Sequence, residues 1–312
     1  MDGTNQWLDP EAGGISAAAA MLRAGDLVAI PTETVYGLAA RADSAEAVAA
    51  IYRTKGRPDF NPLIVHVASI DQARALAHFD DRAEALAERF WPGPLTLVLL
   101  ARADNGIAPA VTAGLPTIAL RSPAHPVAAR LLAELGLPLA APSANRSLGV
   151  SPTCAEHVHA SLGAACPPVL DGGPCAAGLE STIIALRDGG GWSLLRPGPV
   201  SCDELAGMLG EPELPRSMAI EAPGQMVRHY SPGKRVRLDS ETAQDGEFFI
   251  GFGKVGGDTS LSPSGDLAEA AARLYACLHV AAASTYPRIA VAPVPHDGMG
   301  AAINDRLRRA AS

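Results

Sequence analysis

The sequence predicts a layered α/β protein in two parts. Apolar runs of strand length recur between amphipathic helical segments from Ile15 to about Met208, and after a Pro- and Gly-rich stretch the alternation resumes at Arg235. The 312 residues are 48% hydrophobic and 19% charged, enough apolar material to bury a sizeable core, which excludes disorder as the overall state. The 31 Gly and 26 Pro follow no G-X-Y period, so the chain is rich in turns without being collagen-like.

The larger part opens with an Ala-rich helix and a short apolar strand around Leu27 to Ile30 that runs into the polar loop PTETVYGL. Ser44 caps the next helix, whose Ala47, Val48, Ile51 and Tyr52 keep helical spacing and which stops near Gly56 and Pro58. Pro62 to Val67 reads as a buried strand, followed by helices at Asp71 to Ala77 and Asp80 to Phe90. Strands are expected at Pro94 to Leu100 and Pro116 to Arg121, a helix at about Pro126 to Leu135, and a strand pair at Glu180 to Leu186 and Trp192 to Arg196. From Glu211 to Pro232 periodicity is lost, and long structureless connections of this kind usually have a job. A small second unit follows, with strands near Arg235 to Leu238, Glu247 to Ile250 and Arg288 to Ala292, a helix at about Asp266 to Val280 and a closing helix to Arg309. The expected division is 1–208, a linker or lid at 209–234, and 235–312.

Composition also excludes several function classes. The formal charge is −8, so no global positive field draws the chain to nucleic acid or an anionic membrane, and any RNA contact must be local. Basic charge comes from 22 Arg and 3 Lys (Lys55, Lys234, Lys254), and Arg suits bidentate grips on phosphate and carboxylate. The longest run without Asp, Glu, Lys or Arg, Asn105 to Leu120, is broken by Gly and Pro and is too short for a membrane span. No signal-peptide core precedes Arg23, which makes the cytoplasm the expected address. Five cysteines (Cys154, Cys166, Cys175, Cys202, Cys277) show no C-x-x-C, so neither a disulfide framework nor structural zinc is expected. No Walker motif, H-E-x-x-H or G-x-S-x-G occurs. GFGKVG (Gly251 to Gly256) fits G-x-G-x-x-G after a strand, but the chain continues as loop rather than opening a helix, so NAD binding is not expected.

Five clusters carry possible chemistry. Lys55, Arg57 and Asn61 lie just past a helix end and before a strand that carries His66, a charge concentration suited to an anion; for Lys55 alone a solvated helix terminus is the better reading. Thr117 and Arg121, four residues apart on a strand, share one face. The loop from Ala141 to Thr153 packs Ser143, Asn145, Arg146 and Ser151 together as a phosphate cradle, although Ser151 with Pro152 also suits a helix cap before Glu156. Ser181, Thr182 and Arg196 fall near strand ends. His229 and Tyr230, in QMVRHYSP, could cover a site as part of a lid.

Read in order, PTETVYGL, KGRPDFNPLIVH, SANRSLGVSPT, DGGPCAAGLESTII and LLRPGP resemble the catalytic domain of the threonylcarbamoyl-AMP synthase family, the Sua5/YrdC/TsaC group. APGQMVRHYSPG and GMGAAINDRLRRAA resemble the linker and carboxyl end of its two-domain Sua5 form, so the resemblance spans nearly the whole chain. It implies a YrdC-like twisted mixed sheet flanked by helices, plus a smaller Rossmann-like α/β domain. It also implies a nucleotidyltransferase that makes threonylcarbamoyl-AMP and pyrophosphate from L-threonine, bicarbonate and ATP. A separate threonylcarbamoyl transferase complex then modifies ANN-decoding tRNA. By resemblance Thr34, His66, Arg121, the Ala141 backbone and Ser181 hold L-threonine. Arg57, Asn61, Thr117, Ser143, Ser151, Arg196 and Tyr230 hold ATP, and Lys55 and Arg57 with Ser143 and Asn145 form the signature near bicarbonate and the phosphates. Leu148 stands where the family usually has Gly, with the Ser143 to Ser151 spacing intact.

A carbamate approaching an α-phosphate needs cations and oriented donors more than a nucleophilic side chain, and Lys55, Arg57 and Arg121 are expected to meet in one cavity to supply them. Mg²⁺ is expected to arrive with ATP, bound through its oxygens. Two other readings compete: a non-catalytic RNA-binding module, opposed by the net acidity, and a carbamoyl-transfer enzyme with another acceptor.

Overall fold

The computed structural model describes residues 7–214, 221–225 and 229–312. Part of the expected linker, including Pro215 and the Met226, Val227 and Arg228 of QMVRHYSP, lies outside the described residues.

The larger unit is a ten-stranded mixed sheet in the order β1 (Trp7–Leu8), β8 (Val169–Leu170), β2 (Val28–Ile30), β3 (Gly37–Arg41), β7 (Leu139–Ala140), β4 (Ile64–His66), β6 (Thr117–Arg121), β5 (Leu95–Leu100), β9 (Thr182–Leu186) and β10 (Trp192–Arg196). Alternation along the strands divides its faces. Val65, Leu97, Ile118, Leu120, Leu38 and Ile184 point to one side, where they join Val48 and Ile51 of α2 (Ala45–Lys55) and Leu86 of α4 (Asp81–Phe90) in the main core.

The opposite face is unevenly covered. Over β2, β3 and β7 it is sealed by α1 (Ile15–Ala24) and α6 (Pro126–Leu135), whose Ala18, Leu22, Leu131 and Leu132 pack on Val28, Ala39 and Leu139. Over β4, β6, β5, β9 and β10 the buried apolar residues are Ile64, Ala119, Val98, Ile183, Ala185 and Leu195, joined by Ala222 of the linker with no helical residue. That stretch of sheet is left free to carry a site.

Local sequence chemistry explains the elements that border it. Ser44 accepts a hydrogen bond from Ala47 N and starts α2; Gly56, in the left-handed conformation at φ 60°, ends it, and the chain turns into the Lys55 to Asn61 region. Strand β9 begins at Thr182 rather than at Glu180, so Glu180 and Ser181 lie on the approach to the strand. The helical cap expected of Ser151 is not formed. α7 (Ala155–Leu162) has Cys154 at its N-cap without a side-chain bond, and the Ser151 hydroxyl turns instead to Glu180.

The smaller unit is a four-stranded parallel sheet in the order β11 (Arg235–Arg237), β14 (Arg288–Val291), β12 (Glu247–Gly251), β13 (Thr259–Ser260), with α9 (Leu267–Ala283) and α10 (Met299–Ala310). GFGKVG turns tightly at Phe252 and Val255 and leads to β13 rather than a helix. The core of this unit is continuous with the larger one: Val35, Val150, Leu179 and Tyr230 pack in the same cluster as Leu274, Tyr275 and Ile303. His157 of α7 and His279 of α9 also stack across the junction, their ring centroids 3.9 Å apart.

Candidate active site

A concave cavity lined by residues of several elements opens over the uncovered sheet face. One end is organised by Arg121, the last residue of β6. Its Nε donates to Gly93 O at 3.2 Å, one terminal nitrogen donates to Thr34 Oγ1 at 2.8 Å, and the other pairs with Glu33 Oε1 at 2.6 Å. Glu33 Oε2 accepts from Ala124 N at 3.0 Å, so the arginine is held while part of its donor set still faces the cavity. His66 pairs with Arg121 in the parallel register of β4 and β6. Burial and the Arg121 charge push its pKa down to about 3, and its Nδ1 has no hydrogen-bond partner among the described residues. A neutral imidazole with an unused ring nitrogen beside a held guanidinium suits a small polar ligand with a carboxylate.

The middle of the cavity is backbone and hydroxyls. Ala141 and Ser143 line it, Ser143 bridging to Gly37 of β3; a Cβ on Gly37 would stand 3.2 Å from Ala141 Cβ, so a side chain there would crowd this wall. Ser181 Oγ shares a hydrogen bond of 2.7 Å with Thr96 Oγ1. Arg196 grips the same residue, donating to Ser181 O at 3.0 Å and to Ser181 Oγ at 3.1 Å.

The far end combines Arg57, Arg196, His229 and Tyr230, all lining the cavity. Arg57 donates to the carbonyls of Asn61 and Pro62 at 3.1 and 2.8 Å, and burial lowers its pKa to about 10. Tyr230, at φ 61°, has a buried hydroxyl without a partner among the described residues, and burial pushes the His229 imidazole down to about 3, its Nδ1 likewise unpartnered among them. Gly224 of the linker sits against Arg196, where a Cβ would come within 2.8 Å of its Cδ.

Lys55 departs from the expectation that it shares the cavity with Arg57 and Arg121. It is buried behind the wall, with Nζ donating to Ser143 O at 2.5 Å, Asn145 O at 2.6 Å and Asn145 Oδ1 at 3.4 Å. Burial, with Arg57 next to it, pulls its pKa well down, while three acceptors around Nζ favour the charged form. Asn145 Nδ2 in turn donates to the carbonyls of Arg146 and Gly149. Lys55 and Asn145 therefore shape the Ser143 loop, and the third arginine facing the cavity is Arg196. Asn61 and Ser151 are buried one step behind the lining. Thr117 is on the same strand face as Arg121 but about 13 Å away, at the start of β6 opposite Leu100 of β5.

Sequence reasoning missed Glu33 and Glu180. Both are acidic in a region sought for cations, and only their arginine partners, Arg121 and Arg306, reveal their roles. The signal available was their position, each directly beside a selected residue, Thr34 and Ser181.

Held arginines at both ends, each beside polar atoms that have no partner among the described residues, define a site for an anionic ligand with more than one polar group, on a sheet joined to a second α/β unit. A family profile described as Telomere recombination (Sua5, YciO, YrdC) matches residues 20–198, and one described as Threonylcarbamoyl-AMP synthase, C-terminal domain, matches residues 200–312. The chain belongs to the threonylcarbamoyl-AMP synthase family, in its two-domain Sua5 form.

Proteins named threonylcarbamoyl-AMP synthase from Bacillus subtilis (strain 168) and Pyrococcus abyssi (strain GE5 / Orsay) are each 38% identical to it. The first alignment covers 97% of this chain and 93% of the relative, the second 95% and 93%. The crystal structure of P. abyssi Sua5 complexed with L-threonine superposes with a TM-score of 0.89 at 35% identity, over 98% of this chain and 97% of that one. E. coli YciO, 20% identical with a TM-score of 0.55, covers 65% of this chain and all of its own, and so shares the fold of the larger unit.

Proposed function

We propose that the chain is an L-threonylcarbamoyladenylate synthase, a nucleotidyltransferase that converts L-threonine, bicarbonate and ATP into threonylcarbamoyl-AMP and pyrophosphate. The amine nitrogen of threonine bonds to the carbon of bicarbonate with loss of water. An oxygen of the resulting carbamate then bonds to the α-phosphorus while the bond to the β-phosphate bridging oxygen breaks and pyrophosphate leaves.

The observation that carries this reading is the placement of Arg121 and Arg196 with Arg57 on one cavity, because a carbamate and a triphosphate repel each other unless cations stand on both sides. Thr34, His66, Arg121, the Ala141 backbone and Ser181 hold threonine, with Arg121 on the carboxylate. Arg57, Ser143, Arg196 and Tyr230 hold ATP from the cavity wall. Asn61 and Ser151 support them from behind, and Thr117 is offered to the outer, nucleoside part of ATP. Lys55 and Asn145 keep the Ser143 loop in place beside the bicarbonate.

Among the described residues no group of three or more His, Cys, Asp or Glu is placed to hold a metal ion, and both oxygens of the cavity carboxylate Glu180 are engaged by Ser151, Tyr275 and Arg306. This donor set fits Mg²⁺ carried by ATP oxygens, where it would offset phosphate charge. The product would pass to a threonylcarbamoyl transferase complex acting on tRNA, with the cytoplasm as the working compartment. Among the described residues no helix is long and apolar enough to cross a membrane.

The test is pyrophosphate release with ATP, Mg²⁺ and bicarbonate, with and without L-threonine, using L-serine as control. Release that depends on threonine and far exceeds that with serine is expected. Release independent of any amino acid, or none with threonine, overturns the proposal.

A further inference from the structure

The smaller domain reaches the cavity wall. Arg306 of α10, with no exposed surface, donates from Nε to Glu180 Oε2 at 2.9 Å and from a terminal nitrogen to Pro197 O at 2.9 Å, and its guanidinium lies 5.3 Å from the Tyr230 ring centroid. Tyr275 of α9, equally buried, donates to the same Glu180 oxygen at 2.8 Å, and its ring centroid is 5.5 Å from that of Tyr230. The other oxygen of Glu180 accepts from Ser151 Oγ at 2.6 Å. One turn along α10, Arg309 donates to Gly224 O, the residue that leans on Arg196, and Arg309 O accepts from His229 N at 3.3 Å.

We propose that Arg306 and Tyr275 of the smaller domain are positioning residues for the nucleotide end of the cavity: they fix Glu180, which fixes Ser151, and they seat the ring of Tyr230 between them. A carboxylate in a largely buried place beside a nucleotide site repels phosphate and costs heavily unless it is neutralised by a partner. Burial acts to raise the Glu180 pKa, but the charges of Arg306 and Arg196 outweigh it and hold the group at about 2, so the carboxylate remains an acceptor for Ser151. The threonine end depends on the smaller domain less directly: the partners of the Arg121 guanidinium, Gly93, Thr34 and Glu33, all belong to the larger domain. The inference rests on the assignment of the Arg57, Arg196 and Tyr230 end to ATP.

The test uses the full chain and three variants: Tyr275→Phe, Arg306→Met, and Arg306→Met combined with Glu180→Gln, which removes the buried charge together with its partner. KM for ATP, KM for L-threonine, kcat and the melting temperature are read for each. Tyr275→Phe should stay folded and raise KM for ATP about fivefold, and Arg306→Met should raise it at least about tenfold, with KM for threonine changed less than about twofold in both. The double variant should regain the melting temperature lost in Arg306→Met yet keep the raised KM for ATP, which a purely structural ion pair would not do. Recovery of KM together with stability, equal shifts for both substrates, or wild-type KM for ATP in folded single variants overturns the proposal. Should the wild type make no threonylcarbamoyl-AMP, the assignment of function fails instead, and calorimetric ATP binding by wild type and Tyr275→Phe still tests the clamp.

Discussion

The two ends of the cavity are built by different means. At the Arg121 end, one guanidinium satisfies Gly93, Thr34 and Glu33 at once, and every partner comes from the sheet domain. At the Arg196 end, Arg57 comes from the turn after α2, Arg196 from β10, Gly224 and Tyr230 from the linker, and the residues behind them from α9 and α10. The guanidinium of the first end is anchored within the larger unit. The second requires the whole chain to close on itself. Under the proposed assignment, amino-acid binding therefore rests on a frame built within one unit, and nucleotide binding on an assembled one.

The sharpest way to break the assembled end is Lys55→Ala. It removes three donors from carbonyl and amide oxygens that stay buried, and at roughly 1–2 kcal/mol for each unsatisfied acceptor the variant should lose about 4 kcal/mol of stability. Urea denaturation checks this, and an unchanged midpoint would show that Lys55 does not anchor the Ser143 loop.

Next in size is Arg121→Lys. An ammonium cannot serve Gly93, Thr34, Glu33 and a ligand carboxylate together, so kcat/KM for L-threonine should fall about a hundredfold while ATP affinity holds. Equal loss for both substrates would mean that the two ends are not separable.

Acid sharpens the comparison, because His66 and His229 lie at opposite ends and both are pushed to about 3 from the ordinary 6.5, chiefly by burial. Below pH 6.5 the unfolded chain takes up protons that the folded one refuses. Stability is full above about 6.5 and falls as pH drops toward 3, by roughly 1 kcal/mol per histidine per pH unit once well below 6.5. Urea midpoints between pH 7 and 5 should show this slope, reduced by about a third or less in His66→Asn because His279, pushed to about 4, and the lowered His157 and His125 add to it, and a flat profile would contradict the neutral, buried state of these rings.

Much of this was legible in the sequence where a residue's chemistry is local. The Ser44 cap, the Gly56 stop, the strands from Pro62 and Pro116 and the helix before Gly136 follow from capping and periodicity, and the structure has them within a few residues. β3 was hidden because Gly37, Leu38, Ala39 and Ala40 are small or weak strand formers buried on both faces, and they read as the end of a loop. β1, β7, β8 and β13 are two residues long, too short for any period to register. At the site, residue types pointed to Arg121, His66, Arg196 and Tyr230. The turning of Lys55 away from the cavity and the Arg306 to Glu180 pair depend on contacts between residues 88 or more positions apart, which spacing cannot reveal.

The smallest effect concerns the departure at Leu148. It sits at φ 70°, the left-handed region that favours Gly, while its carbonyl accepts from Ser231 N at 2.8 Å and Gly149 bridges to Ser231. Leu148→Gly should relieve the backbone strain and gain about 1 kcal/mol or less, partly offset by the greater freedom of the unfolded chain. Thermal unfolding reads the difference, and a loss greater than 1 kcal/mol would show that the leucine side chain is needed for packing.

The account stands most directly on where the two substrates lie. A crystal structure with L-threonine and a non-hydrolysable ATP analogue should show the threonine carboxylate on Arg121 and the phosphates between Arg57 and Arg196, with Tyr230 closing over the nucleotide. Threonine found away from Arg121, or the nucleotide outside the reach of Arg57 and Arg196, would contradict it.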